Sequence, residues 1–164
     1  MFDLVPEEVF KWLNRPLESY YPIVYIDSTF IPTHQVDTVS KEAYYTLLAV
    51  CSDRTGEVLG VFYFPTEGSK QSEVIFERLK NQSLSNVGLF VTDGLTNIEE
   101  AIWKHFRSAD IQLCSVHLHR VFLKEVKPKH KAALSEGVRE VFRSDDRNDT
   151  IDAAKQRFSA FCDF

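Results

Sequence analysis

Val87-Gly-Leu-Phe-Val-Thr92 is apolar with no alternation, the pattern of a strand covered on both faces. Such a strand needs helices on either side of its sheet, which restricts the chain to an α/β or α+β architecture. The flanking pattern agrees. Ile23 to Phe30 and Tyr44 to Val50 read as strands, and Asp53-Arg54-Thr55-Gly56 before Val58 to Phe64 reads as a hairpin turn, with Gly56 free to take a positive φ. Residues 7–13 read as a short helix, and Ser69 opens another that turns Ile75, Phe76 and Leu79 inward. Thr96-x-x-Glu99 is a capping-box pattern ahead of Ile98, Ala101, Ile102 and Phe106 at helical spacing. A short strand at Ile111 to Leu113 leads into a helix from about Cys114. After Pro128 only helical stripes follow, at Leu134, Val138 and Val141 and then at Ile151, Ala154, Phe158 and Phe161.

The expected order is β-β-β-α-β-α-β and then helices, the order of a ribonuclease-H-like fold. Three antiparallel strands join a βαβ half in one mixed sheet. The expected division is a core over 1–127 and the start of a helical insertion over 128–164. The last helices stop without a C-cap glycine, so they are expected to lack the elements they would pack on and to expose apolar faces or bury them against a second copy.

Thirteen Phe and six Tyr among 164 residues supply ample apolar surface for one core. No stretch approaches the roughly twenty apolar residues of a membrane-spanning helix, and three scattered cysteines argue for a reducing compartment. A cytoplasmic protein with no membrane partner is expected. The formal net charge of −5 does not favour nucleic acid, since phosphates are neutralised by Lys and Arg. Positive charge does gather from Arg120 to Lys131. On one helix Arg120, Lys124 and Lys127 would share a face, as a DNA-binding surface or as an ordinary solvated one.

Asp27 stands inside an apolar strand, and Asp93 stands where the run 87–92 ends and Gly94 turns the chain. A carboxylate inside a strand is costly unless it is paired, hydrogen-bonded or bound to metal, and strand C-termini of parallel sheets are where ligands gather. Either the two hold a divalent cation through oxygen ligands, or Asp27 faces solvent and Asp93-Gly94 is a turn. Cys114 and His117 share a helical face as half of a zinc pattern whose other half is not visible. Trp103 and the Tyr20-Tyr21 pair are read as core rather than base-stacking residues, and His105 and His130 as surface residues.

Four segments carry a resemblance. Asn14-Arg-Pro-Leu-Glu-Ser-Tyr-Tyr-Pro-Ile-Val-Tyr-Ile-Asp27 resembles the start of the catalytic domain of mutator-type transposases of bacterial insertion sequences, and Val58-Leu-Gly-Val-Phe62 resembles their third strand. Val91-Thr-Asp-Gly94 with Ile98-Glu-Glu-Ala-Ile102 is similar to their second aspartate and the helix after it. Gln112-x-Cys114-x-x-His117-x-x-Arg120 is similar to their Cys-x-x-His signature. The similarity runs in order over nearly the whole chain.

The resemblance implies a DDE-type enzyme on a ribonuclease-H-like fold, in which two aspartates and a glutamate hold Mg²⁺ or Mn²⁺. Asp27 and Asp93 match the aspartates, and His117 is implied near the scissile phosphate, with a buried, hydrogen-bonded core histidine as the equally weighted alternative. Transposon-end and target DNA, and a homo-oligomer, are the implied partners. Two departures stand out. The family's glutamate follows a helical insertion in a Thr-Asn-x-x-Glu context that is absent here, and Glu125, Glu136 and Glu140 do not match it. A fragment lacking its third carboxylate, and inactive alone, is therefore expected. The alternative is a non-catalytic transposase-derived protein that binds DNA or full-length transposase. The second departure is Ile31-Pro-Thr-His34, where the family has a basic residue; His34 either substitutes for it or, the favoured reading, is a loop residue.

Overall fold

The computed structural model describes residues 7–34, 39–65, 69–94, 98–143 and 149–163. The elements are α1 (Glu7–Leu13), β1 (Tyr20–His34), β2 (Val39–Val50), β3 (Gly56–Phe64), α2 (Ser69–Asn81), β4 (Asn86–Thr92), α3 (Ile98–His105), β5 (Asp110–Leu113), α4 (Ser115–Glu125), α5 (Lys131–Val141) and α6 (Ile151–Cys162). The chain divides into two compact units, Met1–Leu113 and Cys114–Phe164. The division falls ahead of α4, whereas the sequence reading sets it at 127/128.

The first unit is a mixed α/β layer on a five-stranded sheet ordered β3-β2-β1-β4-β5. β1, β2 and β3 pair antiparallel, and β4 lies parallel to both β1 and β5. The parallel β4–β5 pair is joined through α3, the kind of crossover that parallel neighbours require. Val24 and Ile26 of β1 are buried in register with Phe90 and Thr92 of β4. Ile75, Phe76 and Leu79 of α2 and Ile98, Ala101 and Ile102 of α3 belong to the same core. Phe76, Phe90 and Phe106 meet there with ring centroids 5.3–5.8 Å apart, close enough for tilted and edge-to-face aromatic contacts. Buried Gln82 ties the end of α2 to the segment before β1 by donating to the carbonyls of Leu13 and Arg15.

Several details differ from the sequence reading. β1 runs on to His34, which pairs with Val39, so the backbone of His34 is strand rather than loop. The β2–β3 turn takes its positive φ at Arg54 (72°), and Gly56 is already in β3, paired with Val50. Asp53 closes that turn early by accepting from the backbone N and Oγ1 of Thr55, a local alternative to a glycine turn. Gly94 does carry a positive φ, 88°. Tyr21 is fully buried, but Tyr20 and Trp103 are about half exposed. His105 is partly buried beside Phe76, while His130 is exposed. Thr96 of the capping box lies outside the described residues.

The second unit is helical. Val138 is its one buried hydrophobic among the described residues, and Phe142, Ile151 and Phe158 are exposed. Asp149 and Arg157 form a two-pronged pair at 2.8 and 2.5 Å, and Arg157 also donates to the Glu140 carbonyl, linking α6 to α5. Thr150 caps α6 by accepting from Ala153, which satisfies one of the helix's orphan donors.

Candidate functional site: two aspartates at a strand end

The parallel ladder of β1 and β4 ends at Ile26 and Thr92. The next residues on the two strands are Asp27 and Asp93, so the two aspartates are neighbours across that seam. Both are half-buried. Asp27 is held on its other side by β2, opposite Thr46. Asp93 directly follows β4, and Gly94 after it carries the positive φ of 88°.

The Asp93 carboxylate is used unevenly. Its Oδ2 accepts two hydrogen bonds from Ser28, one from the backbone N at 3.1 Å and one from Oγ at 2.7 Å. Its Oδ1 is buried and accepts none among the described residues. A buried, bare carboxylate oxygen is costly, and it is also the kind of hard donor that a divalent cation takes. Asp27 supplies a second carboxylate from the adjacent strand. Among the described residues, however, no group of three or more His, Cys, Asp or Glu comes together to hold a metal ion. The two aspartates suit a divalent cation as part of a ligand set.

The remaining sequence candidates lie in the second unit. His117 is on α4, half-buried, three residues beyond half-buried Cys114, which is the N-cap of the helix. The three cysteines are free. Arg120 and Lys124 are exposed on α4, but Lys127 is not on that helix. α4 ends at Glu125, and Lys127 is extended at φ −61°, ψ 147°. Pro128 causes this, because a following proline disfavours the helical region; the single helical face of three cations is thereby corrected to two plus a neighbour in the linker. Glu136 and Glu140 lie on α5 and pair with Arg139 and Arg143. Glu125 is the last residue of α4.

Sequence reading missed Ser28. The signal available was Asp27-Ser28-Thr29, three consecutive polar residues in a strand that otherwise favours apolar, β-branched and aromatic side chains.

A model of the Mutator family of transposases matches residues 1–163. The chain belongs to that family. Among its relatives, the transposase for insertion sequence element ISRM3 of Rhizobium meliloti (strain 1021) is 35% identical over 144 residues, 88% of this chain and 36% of that protein. The transposase for insertion sequence element IS905 of Lactococcus lactis subsp. lactis (strain IL1403) is 29% identical over 147 residues, 90% of this chain and 37% of that protein. The Mutator-family chain thus spans a little over a third of the length of these transposases. Among solved structures, a chain of the simian T-cell lymphotropic virus intasome in complex with PP2A regulatory subunit B56 gamma aligns with 90% of this chain and 49% of its own. Its identity is 14% and its TM-score 0.38, a likeness too slight to argue from. No helix among the described residues is long and apolar enough to cross a membrane.

Proposed function

We infer that this chain carries part of the catalytic core of an insertion-sequence transposase, in which Asp27 and Asp93 are two of the carboxylates that hold Mg²⁺ or Mn²⁺. The observation that carries the reading is the adjacency of the two aspartates at the end of the β1–β4 ladder, with the Asp93 Oδ1 buried and bare. The strand order β3-β2-β1-β4-β5, three strands antiparallel and two parallel, supports a ribonuclease-H-like core. The helices from Pro128 onward are read as the start of an insertion in that core.

A bound divalent ion supplies charge stabilisation at a phosphodiester and makes water a stronger nucleophile. The chain's own part is to present oxygen donors from two adjacent strands, which fixes where the reacting phosphate sits. From the family resemblance, His117 is read as a residue near the scissile phosphate. Arg120, Lys124 and Lys127, all exposed, are assigned to backbone phosphates of the element ends and of the target, where each neutralised phosphate steepens the salt dependence of binding. Water cuts the element end and the freed 3′-hydroxyl attacks target DNA, in a homo-oligomer acting in the cytoplasm. The third carboxylate comes from outside the described cluster, so the 164-residue chain alone neither cuts nor joins DNA.

The test is to incubate the chain and Asp93→Asn with Mn²⁺ and a labelled element-end duplex. No cleavage is expected from either. Cleavage by the parent that vanishes in Asp93→Asn would keep Asp93 in its role and move the third ligand into these residues, with Glu125, Glu136 and Glu140 examined first. Cleavage that persists in Asp93→Asn would overturn the assignment.

A further inference from the structure

The backbone ladder between β1 and β4 stops at Ile26 and Thr92, but the link between the strands continues for one more step through a side chain. Ser28 spends both its backbone N and its hydroxyl on a single oxygen, Oδ2 of Asp93, at 3.1 and 2.7 Å. Bonds to a charged acceptor are the stronger kind. An aspartate is otherwise free to turn about its terminal torsion, which is broad and roughly two-fold. Here any turn of the carboxylate out of its observed plane would break two hydrogen bonds at once. Oδ1, the oxygen left over, is buried and accepts nothing among the described residues.

Strand propensity does not explain a serine at this place, where β-branched and aromatic residues fit best. Its chemistry does: it is the smallest side chain that adds a hydroxyl donor beside its own amide. We propose that Ser28 is a positioning residue for the cation site, gripping Oδ2 of Asp93 so that Oδ1 is the oxygen presented to a divalent ion. Because Ser28 directly follows Asp27, the same grip keeps the strand that carries the first aspartate aligned with the second. This inference rests on the reading of Asp27 and Asp93 as cation-holding carboxylates.

The experiment titrates Mn²⁺ into the 164-residue chain, following water-proton relaxation, for the parent, Ser28→Ala, Ser28→Thr, Ser28→Val and Asp93→Asn, with thermal unfolding recorded for each. Groups that orient metal ligands commonly account for at least about tenfold in metal affinity, and a loss of that size is expected for Ser28→Ala and Ser28→Val. Ser28→Thr keeps the donor and should bind close to the parent. Threonine and valine differ by a hydroxyl for a methyl at nearly constant shape, so this pair decides the matter even if Ser28→Ala fails to fold. A role confined to strand stability would lower the unfolding midpoint without separating threonine from valine in Mn²⁺ affinity. Equal affinity in those two variants would overturn the proposal for Ser28. Parent-like affinity in Asp93→Asn would instead overturn the cation reading beneath it, and the two failures are distinct in the same data.

Discussion

The sheet unit and the helical unit are written with hydrophobic patterns of similar clarity, yet they bury them very differently. In Met1–Leu113 the stripes of α2 and α3 close against β1 and β4, and Phe76, Phe90 and Phe106 are almost wholly enclosed. In Cys114–Phe164 the stripes of α5 and α6 are just as regular, but Val138 alone is buried among the described residues and Ile151 remains 75% exposed. A periodic pattern states which face seeks burial. It does not state what buries it. Asp27 and Asp93 stand on the unit that closes its own core.

The largest test of this contrast is truncation of one phenylalanine in each unit. Phe90→Ala removes a fully buried ring from the aromatic cluster and should cost about 3–5 kcal/mol in urea unfolding. Phe158→Ala, at a 55% exposed position, should stay within about 0.5 kcal/mol. Equal losses would break the comparison.

A smaller effect sharpens it through two glycines. A Cβ on Gly88 would lie 2.7 Å from the carbonyl oxygen of Pro22, a backbone atom of the neighbouring strand, so Gly88→Ala should destabilise the sheet by about 1–3 kcal/mol. A Cβ on Gly137 would meet the ring of Phe161 at 2.5 Å. That ring is only half-buried and can swing aside, while alanine gains about 1 kcal/mol in helix propensity. Gly137→Ala should therefore be neutral or slightly stabilising, as read by the helical circular dichroism signal on heating.

The smallest effect is a pH dependence of the sheet unit. Burial pushes the Glu57 carboxyl up, but hydrogen bonds from Tyr21 and Arg15 outweigh it and hold the group below its ordinary value. A lowered native pKa stabilises the fold above the unfolded pKa of 4.5, and that contribution fades as pH falls through the native value. Burial, together with the Glu57 contact, raises Tyr21 from 10.0 to about 12. Its contribution is complete below pH 10.0 and fades as pH rises toward about 12. Glu57→Gln should flatten the acid limb of the stability profile, while Glu136→Gln, in an exposed pair, should leave it unchanged.

Much of this architecture was legible in the sequence because its signals are local. The unalternating run at Val87–Thr92 marked a strand that the structure shows as β4, and Gly94 marked a position of positive φ directly after Asp93. The misreadings share a cause in competition between neighbours. Asp53 closed a turn that Gly56 was expected to make, and Pro128 pulled Lys127 off the helix that periodicity alone would have extended. The grip of Ser28 on Asp93 was not legible at all, because it joins residues 65 positions apart and exists only once β1 and β4 lie side by side.

The most direct test of the central claim is paramagnetic broadening by Mn²⁺ in the amide spectrum of the ¹⁵N-labelled chain. Two carboxylates on adjacent strands should centre the broadening on the amides of Asp27, Ser28, Asp93 and Gly94, and Asp27→Asn or Asp93→Asn should remove it. Broadening centred on Glu136 and Glu140 of the helical unit, or unchanged by either substitution, would contradict the account.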